Sequence, residues 1–257
     1  SKQLLSNFKL FCEHLNWNKE ILEKAYVWVN KLDLVYVILT QNQDNPQLIF
    51  ESMNSTWLWL SQWDLLRNYL LLDMNQADQE RLYENYWKPM EQRFWQEWYA
   101  TYFDSFLRNY LAMYKKAWIN MWREYEWYKE YFADKGRTKE EMLKDLEKYS
   151  TFYVRVCLCK DPDADLNAIW KELKVQRVDV SMPFILNVYK DYDNWDLTKQ
   201  DFIEIIKALN SYVYRRYIVW IPTNSLNKTF ATLYNHLDRS DYKNSILSAF
   251  VLFDSYK

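Results

Sequence analysis

The side chains best suited to metal binding or nucleophilic catalysis are few and widely spaced in this sequence. The two histidines are His14 and His236, and the three cysteines are Cys12, Cys157 and Cys159. A structural zinc site takes four nitrogen or sulfur ligands, and the Cys-x-Cys pair has no second pair to complete one. Three cysteines also cannot form a disulfide framework. We therefore predict packing cysteines, no metal site and no catalytic residue.

Glycine-rich loops for nucleotide binding are excluded by the composition, because the chain has only 1 Gly. The G-x-x-x-x-G-K-(S/T) loop and the G-x-G-x-x-G loop both need more than one glycine. No serine–histidine–aspartate arrangement is evident either, although chain order alone leaves a spatial one open. The sequence thus predicts no cofactor and no enzyme.

A polar turn and the helix that follows it form a first candidate interaction site. Asn and Ser side chains bond to nearby backbone and so favour turns. Asp64 and Arg67 have the i, i+3 spacing of a local helix ion pair. A purely structural turn, followed by a pair that fixes helix packing, is the alternative that the sequence favours. The candidate residues of this loop and helix are Asn54, Ser55, Thr56, Arg67 and Asn68.

A second candidate site surrounds an Arg-Arg pair near the end of a predicted amphipathic helix. Cations at that end complement the helix dipole, and they are also able to contact DNA phosphates. Lys plus Arg (33) nearly balance Asp plus Glu (35) in the whole chain, whereas phosphate binding needs clustered basic charge. We therefore expect weak DNA binding at most, and helix-end and capping roles are favoured here. The candidate nucleic-acid contacts are Arg215, Arg216, Asn224, Asn227 and Lys228.

Aromatic residues are dense on one predicted helix, residues 79–99. They form two adjacent stripes, which together are wider than the single stripe that faces one core. Either this helix is buried on two sides, or its rings line a cavity for a planar aromatic small molecule; the sequence favours the core. The candidate cavity residues are Tyr83, Trp87, Trp95, Trp98, Trp118 and Trp122.

Helical periodicity dominates the chain and predicts an all-α fold, a compact bundle of about ten helices. Apolar residues recur at i, i+3, i+4 and i+7 over residues 103–114 and again over 202–213. Residues 34–39 are β-rich and predict at most one short extended segment. The chain breaker near Gly136 suggests an N-terminal helical layer, residues 1–134, and a C-terminal bundle, residues 138–257, which could also form one continuous domain.

Capping signals place five helix starts, among them Ser61 with Asp64 and the Asn-Pro pair at residues 45–46. Thr138 with Glu141 and Thr198 with Asp201 have the spacing of a capping box or a close variant of it. The Asp-Pro pair at residues 161–162 resembles an N-cap followed by proline at the first helical position.

Two stretches resemble motifs of a known family. IFESMNSTWLWLSQWDLLRNYLLL, residues 49–72, is similar to the IFE-x-x-NS-x-G-x-x-LS-x-x-DLI(R/K)N segment of GmrSD-type restriction proteins, a family built around a ParB/sulfiredoxin-like domain. YVYRRYIVWIPTNSLNKTFATLY, residues 212–234, resembles the family's later RR-x-x-x-G-(I/L)-PTNSLNK-x-F segment. In both stretches a tryptophan, Trp57 or Trp220, stands where the family pattern has glycine.

This resemblance implies a role in the restriction of modified DNA. It places the turn at residues 54–56 near a region that handles nucleotide or DNA. The family's N-terminal domain carries a D-G-Q-Q-R-type motif and its nuclease half an HNH motif, and neither is present in this chain. The chain therefore resembles the helical middle part, and we expect a non-enzymatic scaffold or interaction domain whose partners are other domains of a restriction system. The alternatives are an engineered small-molecule binder with an aromatic-lined cavity and a DNA-binding accessory domain.

The composition departs from ordinary usage in one direction. The chain of 257 residues has 1 Gly and 14 Trp, whereas ordinary usage would give roughly 18 glycines. This pattern predicts a redesigned sequence, and the alternative is a divergent family member from a compositionally biased genome. No apolar run approaches the roughly 18 residues of a membrane span, and the N-terminus has no signal-peptide pattern. We therefore expect a cytoplasmic protein with no membrane partner.

Overall fold

A computed structural model describes residues 2–15, 18–33, 36, 62–72, 74–94, 99–117, 119, 123–132, 135–176, 179–221 and 226–252. The chain divides into two compact units, Ser1–Asp44 and Asn45–Lys257. Every regular element in the described ranges is helical, so the predicted all-α fold class is confirmed. Most of the predicted extended segment at 34–39 lies outside the described residues. Among the helices described, none combines the length and apolar character needed to cross a bilayer.

The described part of the first unit contains two helices, α1 (Lys2–Leu15) and α2 (Lys19–Val29). Asn18 caps α2, because its side-chain oxygen accepts from the backbone N–H groups of Glu20 at 2.9 Å and of Ile21 at 3.5 Å. This satisfies two of the N–H groups that a helix start leaves without a partner. No residue of α2 is buried.

The second unit contains eleven α-helices in its described part. They are α3 (Gln62–Leu71), α4 (Gln76–Leu82), α5 (Lys88–Phe94), α6 (Tyr99–Lys115), α7 (Glu124–Phe132), α8 (Lys139–Cys157), α9 (Ala164–Val175), α10 (Met182–Asp193), α11 (Lys199–Ile218), α12 (Leu226–Thr232) and α13 (Tyr242–Leu252). A π-helical turn, Tyr83–Trp87, joins α4 to α5. Short 3-10 turns, Asp179–Ser181 and Leu233–His236, precede α10 and follow α12.

The two predicted amphipathic stripes face the core. Burial of each large apolar side chain stabilises the fold by about 1.5–3 kcal/mol, so these stripes fix how α6 and α11 are oriented. The stripe residues that are buried are Phe103, Phe106, Leu107, Tyr110 and Leu111 on α6, and Phe202, Ile205, Ile206, Leu209 and Val213 on α11.

Of the predicted helix starts, those at Thr138 and Thr198 are confirmed and the one at Asp161 is wrong. The starts predicted at Asn45 and Ser61 lie outside the described residues. Thr138 forms a full capping box with Glu141, and the Thr198 side chain accepts from the backbone N–H of Asp201 at 3.1 Å. The third N-cap is Asp163, two residues later than predicted. Asp161 instead lies in the core, where it accepts hydrogen bonds from the side chains of Trp170 and Tyr189.

The predicted boundary at residues 134–138 lies inside the second unit. Aromatic rings from both sides of it are in contact: the centroid of Phe106 lies 5.4 Å from that of Tyr153. The centroid of Tyr110 lies 5.5 Å from that of Tyr149. These contacts make one continuous core between α6 and α8.

Among the residues that the structure describes, four non-glycine residues adopt left-handed backbone geometry. They are Lys116 (φ 57°), Cys159 (φ 52°), Trp195 (φ 67°) and Trp220 (φ 56°). The single glycine, Gly136, has φ 62° as well. Left-handed geometry is unfavourable for side chains with a Cβ, and for bulky side chains most of all.

Candidate functional site

A surface cleft of about 370 Å³ is lined by the end of α3, by α4 and by the first residue of the π-helical turn. It brings together three residues that the sequence singled out, Arg67, Asn68 and Tyr83. The sequence assigned Arg67 and Asn68 to an interaction loop and Tyr83 to an aromatic cavity. The other residues lining the cleft are Leu71, Leu72, Gln76, Gln79 and Glu80.

Two carboxylates hold the guanidinium group of Arg67 at this cleft. Its Nη2 lies 3.2 Å from Oδ1 of Asp64, one turn earlier on α3. Its Nη1 lies 3.5 Å from Oε1 of Glu91 on α5. The first contact is the local ion pair that the i, i+3 spacing indicates. The second ties α3 to α5, and no local pattern predicts it.

The π-helical turn supplies two further hydrogen bonds to Glu91. The Tyr83 hydroxyl donates to Oε2 at 2.9 Å, and the Trp87 indole N–H donates to Oε1 at 3.0 Å. Burial, and then the hydrogen bond to Glu91, raises the pKa of Tyr83 above its usual value. Tyr83 therefore stays protonated and remains a donor at neutral pH. Helical π turns are rare and occur often at functional sites.

The charge balance of the cleft is unfavourable for phosphate. Among the described residues that line the cleft, the positively charged one is Arg67, and it is paired with Asp64 and Glu91. Glu80 adds another carboxylate to the lining. The remaining polar groups are the amides of Asn68, Gln76 and Gln79, which both donate and accept hydrogen bonds. Such a surface suits peptide groups better than a polyanion.

Trp87 packs in the core and does not line a cavity. It is 0% exposed, and its ring is stacked on that of Trp63 with centroids 3.8 Å apart. The ring of Phe103 packs against Trp63, with the two ring centroids 3.7 Å apart. Of the six candidate cavity residues, Tyr83 and Trp87 are described. For Trp87 the core alternative holds and the cavity alternative does not. The other four, Trp95, Trp98, Trp118 and Trp122, lie outside the described residues.

The candidate nucleic-acid contacts differ in their exposure. Arg215 and Lys228 are exposed, and Asn227 is half-buried. Arg216 is only 4% exposed, and its Nη1 donates to the hydroxyl of Tyr212 at 3.3 Å. Arg216 therefore packs inside the bundle. The remaining members of the two candidate sets, Asn54, Ser55, Thr56 and Asn224, lie outside the described residues.

Sequence reasoning missed a buried acidic pair next to the start of α3. Glu124, the first residue of α7, is 1% exposed, and the Nε of Arg108 donates to its Oε1 at 2.9 Å. Burial first, and then the charge of Glu124, raises the pKa of Asp104 on α6 to about 6. The backbone N–H of Trp63 opposes this shift only in part. Asp104 therefore titrates closer to neutral pH than an ordinary aspartate.

Sequence reasoning also missed a buried carboxylate that accepts hydrogen bonds from side chains in the C-terminal part of the chain. Asp191 on α10 is 2% exposed. It accepts hydrogen bonds from the hydroxyls of Tyr234 at 2.8 Å and Tyr242 at 2.6 Å, and from the Nη1 of Arg239 at 2.9 Å. These donors are 43 to 51 residues away in sequence, so a local pattern carries no signal of them.

No group of three or more metal-binding side chains comes together within the described ranges. No known family model, curated protein or solved structure matches this chain. The likeness to GmrSD-type restriction proteins rests on the two segments at residues 49–72 and 212–234.

Proposed function

We propose that this chain is a non-enzymatic helical scaffold and interaction domain of a GmrSD-type restriction system. Its contact surface is the cleft at Arg67, Asn68 and Tyr83, which receives another protein domain of that system. The observation that carries this proposal is the pairing of Arg67 with Asp64 and Glu91. Because Arg67, the cation among the described lining residues, is already matched by carboxylates, this lining has no net attraction for a phosphate.

The framework under the cleft suits a rigid docking surface. Glu91 is 9% exposed and receives donors from Tyr83, Trp87 and Arg67. A buried carboxylate with several donors fixes the side chains that hold it. The cleft therefore has a fixed shape before any partner arrives, which lowers the entropic cost of binding.

The chemistry of the lining favours a polypeptide as the occupant. Leu72 offers apolar surface, and Asn68, Gln76 and Gln79 offer amide groups beside it. Protein interfaces combine such apolar patches with direct hydrogen bonds. DNA-binding surfaces are more polar and carry much more positive charge.

A DNA titration distinguishes this proposal from the DNA-binding alternative. Labelled plain and glucosylated duplexes are titrated with the chain at about 0.15 M salt, where the Debye length is about 8 Å, and fluorescence anisotropy is read. We expect the same weak affinity for both duplexes, in the range of non-specific binding at about 10⁻⁴–10⁻⁶ M.

Two variants locate any binding that occurs. Arg67→Ala should leave the weak affinity unchanged, because Arg67 is already paired within the chain. Arg215→Ala, which removes an exposed cation, is the matched control and should weaken the residual binding slightly. Submicromolar affinity that Arg67→Ala abolishes would contradict the proposed function and favour the DNA-binding accessory domain.

A further inference from the structure

Two helices of the second unit end in the same geometry with a tryptophan at the turn. After α11, the N–H of Ile221 donates to the carbonyl of Arg216 at 3.0 Å, and the N–H of Trp220 donates to the carbonyl of Tyr217 at 3.2 Å. These two bonds make a Schellman motif with Trp220 at the left-handed C′ position, which is usually glycine.

The end of α10 repeats this arrangement. The N–H of Asp196 donates to the carbonyl of Asp191 at 2.9 Å, and the N–H of Trp195 donates to the carbonyl of Tyr192 at 3.1 Å. Trp195 is the C′ residue, with φ 67°. Two independent helix ends therefore place a tryptophan at a position whose backbone favours glycine.

Neither tryptophan ring is compensated by burial. Trp195 is 92% exposed and Trp220 is 87% exposed. Among the described residues, the aromatic neighbour of Trp220 is Tyr217, which is itself 74% exposed and lies 6.4 Å away between ring centroids. A bulky side chain at left-handed φ is a rare outlier, and here the side chain contributes almost no packing in return.

The other two left-handed residues of the described ranges differ in this respect. Cys159 is half-buried and packs against the core, so its side chain makes contacts that offset the strained backbone. Lys116 places a flexible polar chain in solvent. Within the described part of the chain, Trp195 and Trp220 are the residues at which a large apolar ring combines left-handed φ with near-complete exposure.

The composition agrees with these two sites. The chain has 1 Gly and 14 Trp, and together they come close to the roughly 18 glycines of ordinary usage. Some tryptophans are well placed as tryptophan: Trp87 and Trp170 are buried, and each indole N–H donates to a carboxylate, Glu91 or Asp161. The tryptophans therefore include two kinds of position: exposed ones with left-handed backbone geometry, and buried ones whose indole N–H is hydrogen-bonded.

We infer that residues 195 and 220 are glycine in the protein that the source organism makes. In that organism, a codon that is translated as tryptophan in this sequence encodes glycine. Tryptophan is retained at buried positions such as 87 and 170. This inference is independent of the proposed function, since it rests on backbone geometry, exposure and composition.

Tryptic peptides of the protein purified from its own organism test the inference by tandem mass spectrometry. Residue 195 lies in DYDNWDLTK (191–199), and residue 220 lies in YIVWIPTNSLNK (217–228). The matched controls are LYENYWKPMEQR (82–93), with Trp87, and DPDADLNAIWK (161–171), with Trp170. We expect the first two peptides at the lower mass that glycine gives, and both controls at the tryptophan mass.

Three outcomes decide the inference. Glycine at 195 and 220 with tryptophan at 87 and 170 supports it. Tryptophan at 195 and 220 overturns it. Glycine at all four positions overturns the distinction by burial, because Trp87 and Trp170 would then be misread as well.

Discussion

Truncation of Trp87 separates a packed core from a small-molecule cavity. The Trp87 ring is 0% exposed and stacked on Trp63 at 3.8 Å, and removal of a buried tryptophan side chain costs about 3–5 kcal/mol. The truncation also removes the indole donor to Glu91 at 3.0 Å, a loss of about 1 kcal/mol for one hydrogen bond. We therefore expect Trp87→Ala to lower the free energy of unfolding by about 4 kcal/mol.

Denaturant unfolding with guanidinium chloride measures this change, provided that the slope m is unaltered. Trp87→Phe keeps an aromatic ring and loses the indole donor, so its loss should be clearly smaller than that of Trp87→Ala. Tyr217→Ala removes an exposed ring of α11 and should stay within about 0.5 kcal/mol, as surface changes usually do.

A cavity would give the opposite pattern. Truncation would then cost less than about 1 kcal/mol, because the site would already be underpacked. A planar aromatic compound would raise the stability of the parent by RT ln(1 + [L]/Kd) and leave Trp87→Ala unchanged. That pair of results would refute the packed core and favour the small-molecule binder.

Two further changes follow from the structure. The folded pKa of Asp104 is raised to about 6, so this group adds stability below the unfolded pKa near 4, and that stability is lost as the pH rises through 6. After discounting for the partial exposure of Asp104, we expect the unfolding free energy of Asp104→Asn to gain about 1–2 kcal/mol relative to the parent between pH 4 and pH 8 in denaturant melts. A difference that stays constant over this pH range would contradict the pKa shift. Trp195→Gly and Trp220→Gly relieve about 1–2 kcal/mol of left-handed strain each, offset by about 0.5–1 kcal/mol of unfolded-chain entropy. Each should therefore raise stability by about 0.5–1 kcal/mol, whereas the helical control Tyr217→Gly should lower it, and equal losses in all three would count against the strain.

The helical fold was predictable because its signals are local. The apolar spacing of α6 and α11 follows from residues three and four apart, and the Thr138 capping box is contained within four residues. Asp161 shows where local reasoning fails: it has the type and position of an N-cap before proline, but Trp170 and Tyr189 donate to its Oδ2 at 3.1 and 2.7 Å. These donors lie on α9 and α10, so tertiary contacts set the role of Asp161.

The candidate site was predictable only in its separate parts. The sequence singles out Arg67, Asn68 and Tyr83, but it assigns them to different sites. Glu91 is the residue that joins Arg67 to Tyr83, and it lies 24 residues from Arg67. Its importance comes from a π-helical turn, which has no established sequence signal, and from burial, which depends on the packed bundle.

A cleavage assay tests the central claim, that the chain contributes architecture and no catalysis, most directly. The purified chain is incubated with plain and glucosylated DNA and with magnesium or manganese, and the products are separated by size. The proposed function predicts that both substrates stay intact at every time point, with the Arg67→Ala variant indistinguishable from the parent. Reproducible cleavage of either substrate that survives further purification would contradict it, and loss of that cleavage in Arg67→Ala would place the activity at the cleft.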